Sequence, residues 1–420
     1  MLKLIASIGG AAIVSTIFYS ALTISSITVF DVLSLSYSLV MLLIYQLSAR
    51  KFRFPVLLEV PFSISLIMVT SFFVSLVSSS DPIGHLTRSA IMIAVFFNMF
   101  IFAYIMADSG YLSRRMILNI ICISGAISSI FSILQGQFGH FLSIIPSDSL
   151  EQMQRFPGLA GHPVEAGGIE AYTGLLAFGN VLDARSLTRK IFWGTLAVIT
   201  LYSIQFSLSL TGLLTLAGAV CVLLVVRTAW RSVLVIAFML LLIVPIVASS
   251  SFFATSPLYA RLTNLFVNGQ NFDTVESRSA QTSTAISLML ADPKSLIFGF
   301  GFSDKEFSRL YDLEIHNGLV GFYYHFGIFG LVGQLFFLLY IARSMLFGEN
   351  KECRSISACI AFIFLCAYMT GPATYLRRSI WMLPILDAMA IRAQSMEAGA
   401  RRSRANLANG HESQKSAQLQ

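Results

Sequence analysis

The sequence predicts an all-α polytopic membrane protein of about 12 transmembrane helices, with one large outer loop that holds a short amphipathic helix. Three observations carry this prediction. Hydrophobic residues make up 56% of the chain and charged residues only 12%, about half the charge content of an ordinary soluble domain. Apolar runs of roughly 20 residues recur throughout, the length that crosses about 30 Å of hydrocarbon. The charges collect between those runs, as expected where an Asp, Lys or Arg at mid-span costs on the order of 3 kcal/mol.

Taken in order, the predicted spans cover about 4–24, 31–48, 60–79, 87–107, 116–138, 166–182, 191–209, 212–226, 232–250, 318–342, 355–371 and 379–392. Lys3 is the lone charge before the first span, and the second follows so closely that the first reads as a retained anchor and not as a cleaved signal peptide. The spans form one unit over residues 1–392, whose long polar loop is 251–317. Beyond Arg392 the chain is polar and rich in Gln, Ser and Asn, with Arg401-Arg402-Ser403-Arg404, so residues 393–420 read as a disordered tail.

An even number of spans puts both termini on one side, and the distribution of Lys and Arg selects the side. With the N-terminus cytoplasmic, 19 basic residues fall inside and 9 outside, which satisfies the positive-inside rule. The net charge of +7 is then a matter of topology and of attraction to anionic lipid, with no nucleic acid implied. Cys122, Cys221, Cys353, Cys359 and Cys366 fall in spans or on the inner side, so no disulfide framework is expected, and no Cys/His spacing fits zinc. There is no Walker-type phosphate loop, which argues against an ATP-driven pump.

The outer segments hold the chemistry. Between the fifth and sixth spans, Arg155-Phe156-Pro157-Gly158-Leu159-Ala160-Gly161-His162-Pro163 makes a short, stiff loop that ends toward Glu165 and Glu170. It either holds Arg155 over the membrane surface or lets it snorkel to headgroups. In the long loop, Arg261 comes first, followed by Asp273, Glu276 and Arg278. Ala280 to Leu290 then reads as a helix closed by Pro293. Its apolar side, Ala285, Leu288 and Met289, lies on lipid or on other spans. Arg278 at its N-terminal end offers a guanidinium beside free helix N–H groups, an anion site, unless it pairs with Glu276 or Asp273. After Phe298-Gly299-Phe300-Gly301-Phe302 the chain returns through Asp312-Leu313-Glu314 to His316 and Asn317 at the membrane boundary. An imidazole there suits removal of a hydroxyl proton near neutral pH, though a boundary histidine also serves structure.

The run His316-Asn317, nine residues, then Gly327-Ile328-Phe329-Gly330 resembles the His-(Asn/Ser/Gln)-x9-Gly-x-x-Gly signature of the bacterial O-antigen ligase/polymerase family. The similarity extends from about Arg155 to Tyr340. It takes in the Arg-x-x-Gly-Leu-x-Gly-x-Pro loop, an outer arginine ahead of a helix ending in Asp292-Pro293, and Phe-Gly-x-Gly before the His-Asn. One element departs: many members have Ser-Arg-Gly after the seventh span, where this chain reads Ser209-Leu210-Thr211-Gly212.

The resemblance implies a periplasmic, metal-independent and cofactor-free transfer of glycan from undecaprenyl diphosphate, in a protein of the bacterial inner membrane. The acceptor is a lipid A core in a ligase and a second lipid-linked glycan in a polymerase. Departure of a diphosphate needs cations, and Arg278 and Arg261 are the leading candidates, with Arg155, Arg377 and Arg378 behind them. His316 takes the role of base, with Asn317 beside it on substrate. Phe322, Tyr323, Tyr324 and Phe326 either line a groove for the polyprenyl chain or are core. Asp312 and Glu314 are spaced to hold a divalent cation, but arginines on the same face make a metal less necessary, and the pair also reads as a solvated loop. A flippase of lipid-linked glycan is the non-enzyme alternative. It would want ionisable groups along an interior path, whereas Glu59, Glu170 and Asp387 are the few within or at the edges of the spans.

Overall fold

In a computed structural model of the protein, residues 2–19, 21–24, 27–47, 56–108, 113–141, 155–227, 259, 263, 273–301, 315, 317–346, 351–370 and 382–391 are described. The described residues are helical apart from turns, connecting segments and one two-residue antiparallel ladder. The helices are α1 (Leu2–Ser15), α2 (Val29–Leu47), α3 (Val56–Ser75), α4 (Pro82–Asp108), α5 (Arg114–Phe138), α6 (Pro163–Asp183), α7 (Leu187–Ser207) and α8 (Leu210–Arg227). They continue with α9 (Asp273–Ala291), α10 (Pro293–Phe298), α11 (Gly318–Leu346), α12 (Lys351–Thr370) and α13 (Met382–Ile391). Pro82–Met106, Arg114–Phe138 and Gly318–Arg343 are long and apolar enough to cross a membrane, by length and composition. Large apolar side chains fill the interior, among them Phe102, Ile121, Tyr172 and Phe337, and also stand outside on α2, α7 and α11, as with Leu39, Leu43, Val198, Leu201, Phe336 and Leu339. Apolarity on both sides is the make-up of a helical membrane protein.

Local chemistry sets the helix ends. Ser113 caps α5 by accepting from Met116 N–H (3.2 Å), and Ser186 caps α7 through Arg189 N–H (3.4 Å). Asp81 accepts from Gly84 N–H (3.0 Å), with Pro82 at the first helical position of α4. Asp292 and Pro293 start α10 in the same way, Asp292 accepting from Lys294 N–H (3.0 Å). The predicted first span differs from the structure. α1 stops at Ser15 after 14 residues, about 21 Å of helix. The chain then turns into the ladder pairing Thr23 with Thr28 and Ile24 with Ile27, where β-branched residues favour extended backbone. The predicted span 232–250 lies outside the described residues.

Contacts between termini sort the helix ends into two sets. In one set, Arg114 at the start of α5 donates through Nε to Asp387 of α13 (2.6 Å) and through Nη2 to Ser357 near the start of α12 (2.7 Å), while Ser357 donates to the other Asp387 oxygen (2.6 Å). Asn180, late in α6, donates to Asn119, early in α5 (3.0 Å). In the other set, Gly158 N–H donates to Gln135 late in α5 (2.7 Å), and Phe156 N–H donates to Phe206 late in α7 (2.9 Å). Gly167 early in α6 lies backbone to backbone on Gly212 early in α8. α12 joins the two sets. Its Ser357 belongs with Arg114, and its Tyr368 lies against Gly318 at the head of α11. Arg155 and Asn317 therefore belong to the same end of the bundle.

Candidate functional site

The site is built around a break in α11. Gly327 sits at φ 62° and ψ −160° inside an otherwise helical run, a conformation open to glycine and strained for other residues. In an unbroken helix the carbonyls of Tyr324 and His325 would face Ile328 and Phe329. Here they accept from Phe300 N–H (2.8 Å) and Gly301 N–H (2.9 Å). The Phe-Gly-x-Gly segment thus docks along the break, its successive N–H groups taking the two freed carbonyls. Gly299 (φ 74°) and Gly301 (φ 79°) share the left-handed region. A side chain on Gly299 would overlap the backbone of His325 and Gly327, and one on Gly327 would overlap the backbone of Ile297 and Gly299. Two sequence fragments quoted separately above are therefore one hydrogen-bonded unit.

Asn317 caps α11. Its Oδ1 accepts from Val320 N–H (3.1 Å), and its carbonyl accepts from Gly321 N–H (2.8 Å). Ile315, just before it, is buried in a small cluster with Ala285 and Met289 of α9 and Tyr324 of α11, with Phe300 packed alongside. The apolar side of α9 thus lies on the protein and not on lipid. α9 also begins earlier than the sequence predicts, at Asp273, which places Arg278 in its second turn. The unpaired N–H groups belong to the turn that carries Asp273 and Glu276, so an anion at Arg278 relies on the guanidinium and not on a helix N-terminus. Phe322, Tyr324 and Phe326 are core residues, each at most 1% exposed. Phe326 packs on Phe72 (centroids 4.4 Å apart) and Tyr324 on Phe300 (4.7 Å). Of the proposed groove, only Tyr323 remains half-exposed.

Arg155 is half-buried at the start of its loop. The loop is held from three sides: Gln135 grips Gly158, Phe206 accepts from Phe156, and Leu159 accepts from Ala21 N–H (2.9 Å). Two turns into α6, Glu170 is buried, and it accepts from Ser203 (2.8 Å) and Ser207 (2.7 Å) of α7. Each serine hydroxyl also has a backbone carbonyl of its own helix within reach, Thr200 at 2.8 Å and Ile204 at 3.3 Å. His316, Arg261, Arg377, Arg378, Asp312 and Glu314 lie outside the described residues, as does the side chain of Arg278.

Two histidines absent from the sequence reading flank the docked segment. His325 Nδ1 donates to the Gly301 carbonyl (2.7 Å), which can only accept. His85 is fully buried in the first turn of α4, with Nε2 at 2.9 Å from the Phe72 carbonyl, 3.1 Å from Ser75 Oγ and 3.4 Å from Ser89 Oγ. A Cβ on Gly301 would lie 3.1 Å from its Nδ1. The signal for His85 was Asp81-Pro82, a cap and first-position pair that starts the helix five residues before the hydropathy does. No protein-family model matches this chain, and no curated protein matches it. The family resemblance rests on the residues quoted above.

Proposed function

We propose that this protein transfers glycan from an undecaprenyl-diphosphate donor to an acceptor hydroxyl on the periplasmic face of the bacterial inner membrane, as an O-antigen ligase does. In this reading the chain crosses the membrane twelve times, both termini are cytoplasmic, and the Arg155–Asn317 end of the bundle faces the periplasm. His316 takes the proton of the attacking hydroxyl. Arg278 and Arg261 meet the charge that gathers on the departing diphosphate, with Arg155, Arg377 and Arg378 holding the donor. The lipid A core, or a second lipid-linked glycan, is the acceptor.

The observation that carries the reading is the break at Gly327. The glycines of Gly-x-x-Gly and Phe-Gly-x-Gly are elements of the family resemblance, and they meet backbone to backbone. In α11 the same helix is capped by Asn317, the residue after His316. The reading gives these glycines one shared task, to let the two segments approach at the break. Polymerisation is the second reading. Ser209, Leu210 and Gly212 stand at the head of α8, where Ser209 Oγ accepts from Gly212 N–H (3.2 Å), and many family members have an arginine in this short run.

The test is the length distribution of glycan still attached to undecaprenyl diphosphate, in cells with and without the protein. Long lipid-linked chains accumulating in its absence are the expected result for a ligase. Single repeat units on the periplasmic face would mean a polymerase, and accumulation on the cytoplasmic face a flippase. An unchanged profile would remove lipid-linked glycan as the substrate.

A further inference from the structure

We propose that Glu170 holds a proton and works as a neutral carboxylic acid, donating a hydrogen bond that ties α6 to the last two turns of α7. The inference goes beyond glycan transfer and does not depend on it. Glu170 is 1% exposed, and Ser203 and Ser207 are fully buried. Four oxygen–oxygen contacts meet there. Ser207 lies 2.7 Å from Glu170 Oε2, Ser203 lies 2.8 Å from Glu170 Oε1 and 2.8 Å from the Thr200 carbonyl, and Ser207 lies 3.3 Å from the Ile204 carbonyl. An ionised carboxylate and two hydroxyls bring only two hydrogens to these contacts. At least one of the three short ones would then be a bare approach of two acceptor oxygens. One more hydrogen, on Oε1, completes the set. Glu170 then donates to Ser203, Ser203 donates to the Thr200 carbonyl, and Ser207 donates to Oε2. The contact left without a hydrogen is the longest, Ser207 to Ile204, and the Ile204 carbonyl already accepts from Leu208 N–H (3.0 Å).

The surroundings supply no counter-charge. Among the described residues, no Lys, Arg or His forms an ion pair with Glu170, and α6 itself holds no basic residue. The helices packed on α6 carry theirs toward the opposite end of the bundle. Arg114 and Arg115 start α5, Arg189 and Lys190 start α7, Arg227 ends α8, and Lys351 and Arg354 start α12. A lone carboxylate in that setting costs far more than a neutral carboxyl that keeps its hydrogen bonds. The joint also carries the loop of Arg155. Phe206 precedes Ser207 in the last turn of α7, and its carbonyl accepts from Phe156 N–H (2.9 Å). Loosening Glu170 from α7 therefore loosens the anchor next to Arg155.

The experiment uses the full-length protein in lipid nanodiscs, with the variants Glu170→Gln and Glu170→Leu. A glutamine cannot ionise, yet it offers an N–H to Ser203 and a carbonyl to Ser207, whereas a leucine offers neither. Two quantities are read: the infrared difference between wild type and Glu170→Gln in the carboxyl region, and amide hydrogen exchange in the peptide covering Phe156. The expected difference is the loss of one protonated-carboxyl C=O band, which lies apart from the carboxylate bands. Exchange should be unchanged in Glu170→Gln and faster by about 10-fold or more in Glu170→Leu, the effect of removing a buried hydrogen-bonded group. Loss of a carboxylate band instead would overturn the proposal by showing an ionised Glu170. Exchange as fast in Glu170→Gln as in Glu170→Leu would also overturn it, because charge and not a donor would then hold the joint. Unchanged exchange in a folded Glu170→Leu would remove the tie to α7. If Glu170→Leu does not fold, the infrared comparison alone decides between acid and carboxylate. Neither readout involves glycan transfer, so failure of that function leaves this test intact.

Discussion

At the scale of single residues, Asn317 has a structural role in the helix it caps and Arg278 a proposed chemical one. Asn317 caps the longest helix among the described residues, through an Oδ1 that accepts from Val320 N–H. Asn317→Ala should therefore lower stability by about 1 kcal/mol, while Asn317→Ser should lower it by a few tenths at most. Thermal unfolding of the purified variants in one detergent checks this. Arg278 is a test of chemistry. Arg278→Ala should reduce transfer on the order of 10²-fold with protein level intact. Arg278→Lys should recover only part, because an ammonium replaces a forked guanidinium with a point charge. Full activity of Arg278→Ala in a membrane assay would remove this arginine from the site. The sequence set Asn317 next to the apolar run of α11, where the helix does begin, but it could not separate a cap from a ligand. Both need an Asn next to the first apolar turn, and only the Val320 bond distinguishes them.

At the scale of elements, two tertiary joints can be tested. The first is the contact of Gly299 with Gly327. Alanine at either position drives a Cβ into backbone atoms that cannot rotate away, so each substitution should destabilise by about 1–3 kcal/mol. The two residues share one contact, so the double variant should cost less than the sum of the singles. A denaturant-based double-mutant cycle reads that coupling, and strict additivity would contradict the shared joint. The second joint is Arg114 with Asp387, an ion pair whose side chains are 7% and 0% exposed. Removing one partner leaves a buried charge, so Arg114→Met should cost about 3–5 kcal/mol, and adding Asp387→Leu should restore much of the loss. The all-helical, apolar character was legible in the sequence, since charges punctuate the apolar runs, though the first predicted span ends early, at Ser15. Their partners were not. Asp387 stood out as an ionisable residue within a span, but Arg114 lies 273 positions away, and no periodicity reports a contact at that separation. The start of α4 was misplaced for a local reason. Hydropathy begins near residue 87, whereas Asp81 and Pro82 begin the helix, and His85 falls between the two.

At the scale of the whole molecule, the sorting of helix ends, with the Lys/Arg bias choosing the outer one, gives a prediction of sidedness that is independent of transfer activity. Alkaline phosphatase fused after Gly139 or Gly161 should be active and the same reporter fused after Arg115 or Arg185 inactive, because the two pairs belong to opposite ends of the bundle. Equal activity at all four positions would undo the two-ended arrangement. The break at Gly327 also bears on how the protein is made. A span entering hydrocarbon with two carbonyls unmatched is penalised by several kcal/mol for each. Residues 298–301 leave the ribosome before α11 does, so the polypeptide that satisfies Tyr324 and His325 is already synthesised when the helix reaches the bilayer. A lesion in that short stretch would first show as failed membrane insertion of the helix that follows, and its signature in the cell would be degraded protein rather than a slow enzyme.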